Sequence, residues 1–369
     1  MIVFSGRDIF NNGGKIMKKS IKLVLTLTFI SIMLLLVLGQ GASSQGEKLW
    51  EKGTPVVTVG FSAGGGTDTA VRPVLAKMEE YLGETINVVN MEGASSAVAA
   101  EHVLSLPADG YNMFATGSGP LSGFRVMGTS DTSWRDWVGW HPFNGPAALL
   151  VQADSPIDTF EEAIRVLKDE DPNFGISGFG VGPHVLGEAI FEIAGAPSPN
   201  YVTAGSCRNA AVNLIAGEVD MALCTFSAAV DFVKAGQLKA LTVTTAVPYE
   251  VNDDITIPSI TELLEGSENV PLLSETWPVL IRRDTPQEMI DKLDEAFLWA
   301  IEQPEIKEFA EKQALNLVGY YGEEADKFLS FSEAGYSWAL YNSGLAEKSP
   351  EEFGIPKLAD WDWEKEKNF

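Results

Sequence analysis

The segment 61–68, Phe-Ser-Ala-Gly-Gly-Gly-Thr-Asp, is the strongest candidate for chemistry in this chain. It follows an apolar run with β character, residues 56–60, and precedes residues whose apolar side chains recur at helical spacing. A glycine-rich turn from strand to helix leaves backbone N–H groups without partners, and these groups and the helix dipole together suit an anion. An ordinary turn with Thr67 or Asp68 as the helix N-cap explains the pattern equally well. Both interpretations stay open at this point.

No catalytic or metal-binding pattern accompanies this segment. Neither Ser118 nor Ser177 lies in a Gly-x-Ser-x-Gly elbow, and no Walker lysine follows a glycine-rich loop. The three histidines and two cysteines lack the spacing of metal ligands. The sequence therefore predicts a binding protein without metal or cofactor and without enzymatic activity. An exported α/β hydrolase or transferase that uses Ser118 or Ser177 is the alternative.

The composition limits the class of partner. The chain has 369 residues and a formal net charge of −25 at pH 7. Such a charge argues against nucleic acid as a partner, because phosphate backbones would be repelled. An anionic ligand would have to be held by local donors against the field of the whole molecule.

The first 44 residues have the composition of an export signal. A basic segment at residues 17–22 precedes an uncharged, mostly apolar run at 23–39, and small residues follow at 42–44. We expect cleavage near Ser44, a periplasmic or extracytoplasmic location, and residues 1–16 to be upstream sequence; retention of the segment as a membrane anchor stays open. Cys207 and Cys224 then lie in the exported part, either as a disulfide or as two free thiols.

From residue 55 onward, segments with strand and helix patterns alternate, which predicts an α/β fold with parallel strands. Glycine-rich loops fall repeatedly where predicted strands end, at 64–66, 93, 117–119, 178–182 and 205. Ligands of such sheets bind at the carboxyl ends of the strands. We therefore expect one cleft that is lined by several of these loops.

The order of motifs resembles the receptors of tripartite tricarboxylate transporters, the Bug family of periplasmic solute-binding proteins. The glycine loop ending at Asp68 is followed by Arg72, and later segments match in the same order. These segments are Leu82-Gly83, Asn90–Ala94, Pro107–Tyr111, Gly175–Gly178, Gly182–His184, Leu214–Asp220 and Lys234–Leu241. The resemblance extends over residues 50–345.

The resemblance implies a two-domain, periplasmic-binding-protein-like α/β fold with a ligand cleft between hinged domains. Its expected domain 1 is discontinuous, residues 45–147 with 275–369, and domain 2 is 148–274. The implied ligand is a small organic anion such as a di- or tricarboxylate, an amino acid or an aromatic acid. The implied partners are the large and small membrane subunits of the transporter. A sensor that signals to a membrane partner is the alternative role.

The resemblance also implies which residues line the cleft. They come from the first glycine loop and from the loops around 118, 177–184 and 205–209. These residues are Phe61, Ser62, Ala63, Gly64, Gly65, Gly66, Thr67, Asp68, Ser118, Ser177, Gly178, Gly182, His184, Gly205, Ser206, Arg208 and Asn209.

The segment Tyr201–Asn209 departs from the family pattern. It is longer than usual and introduces Arg208 and Asn209, which suggests a different ligand or a second anionic group on it. Arg208 as an exposed surface residue is the competing interpretation. Arg72 is predicted to pair with Asp68 at i,i+4 spacing as readily as to contact a ligand. His184 is predicted to be neutral because it lies near a helix N-terminus.

Overall fold

The computed structural model describes residues 49–51, 53–268, 270 and 274–368. The predicted signal peptide therefore lies outside the described residues. By their contacts, the residues from Leu49 onward form one compact unit. No helix in the described ranges is long and apolar enough to cross a membrane.

Two β-sheets organise this unit. The first has seven strands: β1 (Val56–Val59), β2 (Asn87–Asn90), β3 (Asn112–Ala115), β4 (Trp137–Gly145), β12 (Glu275–Thr276), β13 (Val279–Arg282) and β14 (Asn316–Tyr320). Their order is β12-β4-β13-β3-β1-β2, and β14 also pairs with β4. Strand β1 is parallel to both β2 and β3, so the loops after these three strands meet at one edge.

The second sheet has five strands in the order β7-β6-β8-β5-β9. These are β5 (Ala147–Gln152), β6 (Asn173–Ile176), β7 (Asn200–Thr203), β8 (Met221–Thr225) and β9 (Leu238–Val243). Strand β6 is parallel to β7 and β8, whereas β5 is antiparallel to its neighbours β8 and β9. A separate hairpin consists of β10 (Tyr249–Asn252) and β11 (Ile255–Ile257).

Twelve α-helices are described. Seven belong to the first two thirds of the chain: α1 (Gly66–Leu82), α2 (Ala97–Leu104), α3 (Ser118–Met127), α4 (Phe160–Asp169), α5 (Gly182–Ile193), α6 (Cys207–Ile215) and α7 (Phe226–Lys234). Five follow: α8 (Ile260–Leu263), α9 (Gln287–Ile301), α10 (Pro304–Lys312), α11 (Gly322–Asn342) and α12 (Trp363–Glu366). Helices α1 and α3 are the next elements after β1 and β3 of the first sheet. Helices α5, α6 and α7 are the next elements after β6, β7 and β8 of the second sheet, so all five N-termini lie near strand ends.

This alternation of strands and helices around two sheets confirms the predicted α/β fold class. Strands β12 and β13 are separated by Trp277 and Pro278. Pro278 has no backbone N–H, which favours an interruption at this point. The interruption also allows β12 to pair with the end of β4 while β13 pairs with β3 and the start of β4.

The long helix α11 packs against α3 and also against α5, which follows a strand of the second sheet. Its buried residue Tyr336 belongs to the apolar cluster that contains Val185 and Leu186 of α5. The hydroxyl of Ser337 donates to the carbonyl of Ser122 at 2.8 Å. Helix α11 therefore joins elements associated with the two sheets.

Glu333 is the polar anchor of this helix. Its carboxylate is buried and lies 2.6 Å from Nη2 of Arg125 and 3.3 Å from Nη1 of Arg135. The indole N–H of Trp134 donates to the same carboxylate at 3.1 Å. Burial raises the pKa of Glu333, and the two arginines oppose this effect.

We predict that Glu333→Ala lowers the free energy of unfolding by about 3 kcal/mol, because it leaves the half-buried guanidinium of Arg125 without its counter-charge, while Arg135 keeps its ion pair with Glu366. The matched control is Glu324→Ala, which removes an exposed carboxylate from the same helix and should cost less than about 1 kcal/mol. Urea denaturation of both variants measures the difference. Equal effects of the two substitutions would contradict an anchoring role for Glu333.

Candidate functional site

Asp68 fixes the first glycine loop. Its carboxylate accepts a hydrogen bond from the Gly64 N–H at 2.9 Å, from the Asn90 amide at 2.9 Å and from Arg72 Nε at 2.8 Å. Burial raises the pKa of Asp68, but the hydrogen bonds from Arg72, Gly64 and Asn90 prevail and lower it below its usual value. The predicted Asp68–Arg72 ion pair is confirmed. Asp68 is thus an ionised support of the loop.

The N-cap prediction for this loop is wrong. Helix α1 begins at Gly66 with Gly65 as its cap residue, so Thr67 and Asp68 lie inside the first turn. The reason is that the Asp68 carboxylate reaches back to Gly64 instead of capping an amide within the helix. As in any α-helix, the N–H groups of the first turn have no intrahelical acceptor, and in α1 no side chain caps them.

The remaining residues of the loop shape its backbone. The Phe61 carbonyl accepts from Asn90, and the Ser62 carbonyl accepts from the Gly65 N–H at 3.0 Å. Gly64 has φ of +76°, a left-handed conformation that favours glycine. Ala63 is exposed.

A cavity of about 230 Å³ lies against the start of α1. One side comes from the first loop and α1, another from α6 and α7, and a third from the segment before β14. The lining residues are Gly64, Gly66, Thr69, Ala70, Arg208, Ser227, Ala228, Asp231, Gln313 and Leu315. Of the residues predicted from sequence, Gly64, Gly66 and Arg208 are thus brought together around one space.

Arg208 is exposed, and its guanidinium lies over the ring of Phe232 at 4.7 Å from the centroid. This cation–π contact holds the side chain on the α7 side of the cavity. Its neighbours in sequence have structural roles: the Ser206 hydroxyl caps α6 by accepting from the Asn209 N–H at 3.1 Å, and the Asn209 side chain donates to the Ala204 carbonyl at 3.1 Å. Gly205 supplies a left-handed turn with φ of +77°.

Glu275 is a buried carboxyl group that lies between the first sheet and the start of α5. It belongs to β12 of the first sheet, and its carboxyl group accepts a hydrogen bond from the Gly182 N–H at the start of α5. It also lies so close to Gly117 that a Cβ there would come within 1.9 Å of Oε1. Burial, and then the negative charge of Cys207, raise the pKa of Glu275 to about 8. Near neutral pH, the carboxyl group of Glu275 is therefore mostly protonated, and it accepts from the N-terminus of α5 in that state.

Thr225, the last residue of β8, has a buried side-chain oxygen. Among the described residues, no oxygen or nitrogen atom forms a hydrogen bond with it. Its Oγ1 lies 3.5 Å from the position that a Cβ would take at Gly66, which lines the cavity. The hydroxyl contacts the sulfur of Cys207, which is a weak acceptor, so Thr225 keeps bonding capacity for a ligand or water.

The loop at residues 94–96 contacts the loop that follows β6 of the second sheet. Ser95 Oγ donates to the Phe179 carbonyl at 2.7 Å, and Gly178 lies next to the same hydroxyl. Ala94, Ser95 and Ser96 all have positive φ, at 45°, 50° and 78°, which is rare for three consecutive non-glycine residues. Buried contacts hold this strained turn in place, including a 2.6 Å hydrogen bond between the hydroxyls of Ser96 and Thr116.

Ser118, Ser177 and His184 have local partners. Ser118 is fully buried, and its Oγ accepts from the Thr276 N–H at 3.0 Å. Ser177 is half-buried and its hydroxyl interacts with Cys207. His184 accepts from the Gly180 N–H at 3.0 Å, and burial lowers its pKa to about 4. The predicted neutral state of His184 is thus supported, but burial is the cause.

A larger cavity of about 570 Å³ lies elsewhere. Its lining includes Arg283, Asp294, Asp326 and Trp363, and none of its residues belongs to the loops described above. Arg283 and Asp326 are already bound to each other as an ion pair at 2.7 Å. The smaller cavity is therefore the better candidate site, because unpaired helix N–H groups and an arginine converge there.

Sequence analysis did not single out Glu275, Thr225 or Asp231. Glu275 lies in a strand of only two residues, where no periodicity marks it. Thr225 ends a buried strand and looks like any other β-branched residue in such a position. Only the folded chain brings Thr225 and Asp231 next to the first glycine loop, and Glu275 next to Gly117 and Gly182.

A family model described as the tripartite tricarboxylate transporter family receptor matches residues 70–333. The chain is 26% identical over 246 residues to a UPF0065 protein of Bordetella bronchiseptica, which covers 64% of this chain and 70% of the relative.

Two solved structures share the fold. One is MatC from Rhodopseudomonas palustris with bound malate, with 21% identity, a TM-score of 0.70, and coverage of 79% of this chain and 100% of that chain. The other is R. palustris Rpa4515 with adipate, with 20% identity, a TM-score of 0.72, and coverage of 80% and 98%. These similarities confirm the predicted periplasmic-binding-protein-like fold.

The family match covers well over half of the chain and confirms the resemblance carried by the sequence motifs. Receptors of this kind are solute-binding proteins, so the expectation that the chain is not an enzyme is confirmed by its relatives, and a hydrolase that uses Ser118 or Ser177 is excluded. The chain belongs to the family of tripartite tricarboxylate transporter receptors, the Bug family of solute-binding proteins.

Proposed function

We propose that this protein is an exported receptor that captures a small carboxylate in the 230 Å³ cavity and delivers it to the membrane subunits of a tripartite transporter. The observation that carries the proposal is the convergence of the uncapped N-terminus of α1 and the guanidinium of Arg208 on this cavity. Relatives whose solved structures hold malate and adipate support the carboxylate class.

The first carboxylate of the ligand binds the free N–H groups at the start of α1. These groups carry the positive end of the helix dipole, so they stabilise a negative charge without a cationic side chain. The planar guanidinium group of Arg208 donates parallel hydrogen bonds either to a second carboxylate of the ligand or to the other side of the first carboxylate. Asp231 supplies an acceptor on the same wall, which favours a ligand that also carries a hydroxyl or ammonium group.

The two sheets act as two lobes that close on the ligand. We assign residues 45–147 and 275–369 to one lobe and 148–274 to the other, so the chain passes between lobes near Pro146 and again before Glu275. The ligand contacts α1 of one lobe and α6 and α7 of the other, and it touches both only when they are close. Ligand binding therefore shifts the population toward the closed form, which the transporter recognises.

The proposed periplasmic location depends on the basic and apolar segment at residues 17–39. It agrees with the description of a related solved structure, BugD, as a periplasmic binding protein. The large and small membrane subunits are the proposed partners because the matched family is named for a tripartite transporter.

We predict that a carboxylate raises the melting temperature of the purified protein. A ligand at a hundredfold its dissociation constant adds about 2.7 kcal/mol to the free energy of unfolding. A thermal-shift screen of mono-, di- and tricarboxylates, amino acids and aromatic acids identifies the class, and neutral sugars serve as the control set. Stabilisation by sugars alone would contradict the proposed ligand class.

We predict that Arg208→Ala weakens binding of the identified carboxylate at least tenfold, or by about 1.4 kcal/mol or more, because the closed cavity removes a charged donor from water. Arg208→Lys keeps the charge but loses the bidentate fork and should bind with intermediate affinity. The matched control is Arg165→Ala on the exposed face of α4, which should leave affinity unchanged. Calorimetric titration measures the affinity of all three variants. Unchanged affinity in Arg208→Ala would show that Arg208 is a surface residue that does not contact the ligand.

We predict a pH dependence of stability from Glu275. Its folded pKa of about 8 lies above the ordinary value of 4.5, so the unfolded chain releases this proton first as the pH rises. The contribution of Glu275 to the free energy of unfolding is fully present below about pH 4.5 and is lost as the pH rises through about 8. It amounts to a few kcal/mol, because a shift of one pKa unit corresponds to about 1.4 kcal/mol.

Glu275→Gln should remove this pH dependence, because glutamine still accepts from Gly182 but carries no titrating proton. Relative to wild type, the variant should therefore gain stability between pH 5 and pH 8. Glu218→Gln, at an exposed position, is the control and should follow wild type. The free energy of unfolding is measured against pH for both proteins, and again for both with the added substitution Cys207→Ser. Parallel curves for wild type and Glu275→Gln in both backgrounds would contradict the raised pKa of Glu275.

A further inference from the structure

The two cysteines of the chain lie next to each other beside the candidate site. Cys207 is the first residue of α6, and Cys224 is the fourth residue of β8. The Cys224 thiol donates to the Cys207 carbonyl at 3.3 Å, and the Cys207 sulfur accepts from the Thr225 N–H at 3.2 Å. Each sulfur therefore contacts the backbone of the other cysteine or of its direct neighbour. Both are free thiols in this structure.

The two thiols differ in their surroundings. The interaction with the Cys224 thiol, together with hydrogen bonds from Thr225 and Ser177, lowers the pKa of Cys207 to about 6, although burial opposes this. The interaction with Cys207, and then burial, raise the pKa of Cys224. Cys207 also retains an exposed fraction of 6%, whereas Cys224 has none. Cys207 is thus the more ionised and the more accessible of the pair, as expected of an attacking thiol.

We propose that Cys207 and Cys224 are a redox modification site that forms an intramolecular disulfide between the start of α6 and the end of β8. The oxidant is a disulfide, either a small-molecule disulfide or that of a thiol–disulfide oxidoreductase. The Cys207 thiolate attacks one sulfur of the donor, forms a mixed disulfide and releases one donor thiolate. Cys224 loses its proton, and its sulfur attacks Cys207 and displaces the second donor thiolate. The two cysteines together lose two protons and two electrons, and the donor disulfide is reduced to two thiols.

The location of the pair gives this disulfide a consequence for the cavity. Arg208 follows Cys207 directly, and Thr225 follows Cys224, so a covalent bond between the cysteines fixes the spacing of these two neighbours. Oxidation also removes the thiolate that helps to raise the pKa of Glu275. This consequence rests on the function proposed above, whereas formation of the disulfide does not.

The test uses the full chain, reduced and then equilibrated with oxidised and reduced glutathione, both in its native state and during refolding from urea. Free thiols are then alkylated, and intact mass and a non-reducing peptide map locate any disulfide. We expect wild type to lose two hydrogens and to show a single linked peptide pair that contains Cys207 and Cys224. Two alkylated thiols under both regimes, or linkage only between different chains, would overturn the proposal.

Serine variants test the order of the steps. In Cys224→Ser the second displacement is impossible, so Cys207 should keep one glutathione as a stable mixed disulfide in the native protein. In Cys207→Ser the buried Cys224 should stay unmodified in the native protein. The reverse pattern would overturn the assignment of Cys207 as the attacking thiol. Circular dichroism of each variant confirms that it is folded.

A second readout connects the disulfide to the cavity. Calorimetric titrations of reduced and oxidised wild type with malate and adipate should give different affinities, because the disulfide fixes the residues next to Arg208 and Thr225. Equal affinities for the two forms would overturn the proposed coupling. Failure of both forms to bind any carboxylate would contradict the proposed function and leave the mass measurement as an independent test of the disulfide.

Discussion

The structure depends on the need to satisfy the backbone N–H groups at helix N-termini that lie along the boundary of two sheets. Every such terminus leaves donors that the helix itself cannot bond. The protein satisfies α5 with the carboxyl group of Glu275 and caps α6 with Ser206. Asp68 satisfies the loop before α1 through Gly64, but the first turn of α1 has no side-chain cap. Helices α3 and α7 also lack a side-chain cap, but the first residue of α1, Gly66, lines the cavity together with Arg208, so the start of α1 is a natural place for an external anion.

The same constraint explains how a strongly acidic chain can attract an anion. With a net charge of −25, the field of the whole molecule opposes a carboxylate, so the attraction must come from short-range donors. Helix N–H groups and the guanidinium of Arg208 act over a few ångströms in a partly closed space. Glu275 does not add to the repulsion near neutral pH, because its raised pKa keeps it protonated. Specificity then arises from the geometry of a few groups and not from overall charge.

Glu275, Cys207 and Thr225 form a connected set at the boundary of the sheets. The negative charge of Cys207 raises the pKa of Glu275, and the N–H of Thr225 donates to the Cys207 sulfur. A change in the protonation or oxidation of one group therefore alters the others through distances of a few ångströms. Arg208 follows Cys207 directly and Thr225 lies next to Gly66, so this set adjoins two residues that line the cavity, and we infer that its proton and redox chemistry affects the proposed ligand site.

The α/β alternation, the motifs of the family and the position of the first glycine loop can be predicted from the sequence alone, because these features depend on local periodicity and on glycine at strand ends. The Asp68–Arg72 pair can be predicted in the same way, since residues four apart on a helix are neighbours. Only the tertiary structure decided that Gly66 and Arg208 share a cavity, that Glu275 fills the N-terminus of α5 and that the two cysteines meet. Those relations join residues far apart in the chain, and their pKa shifts come from burial, which no local pattern encodes.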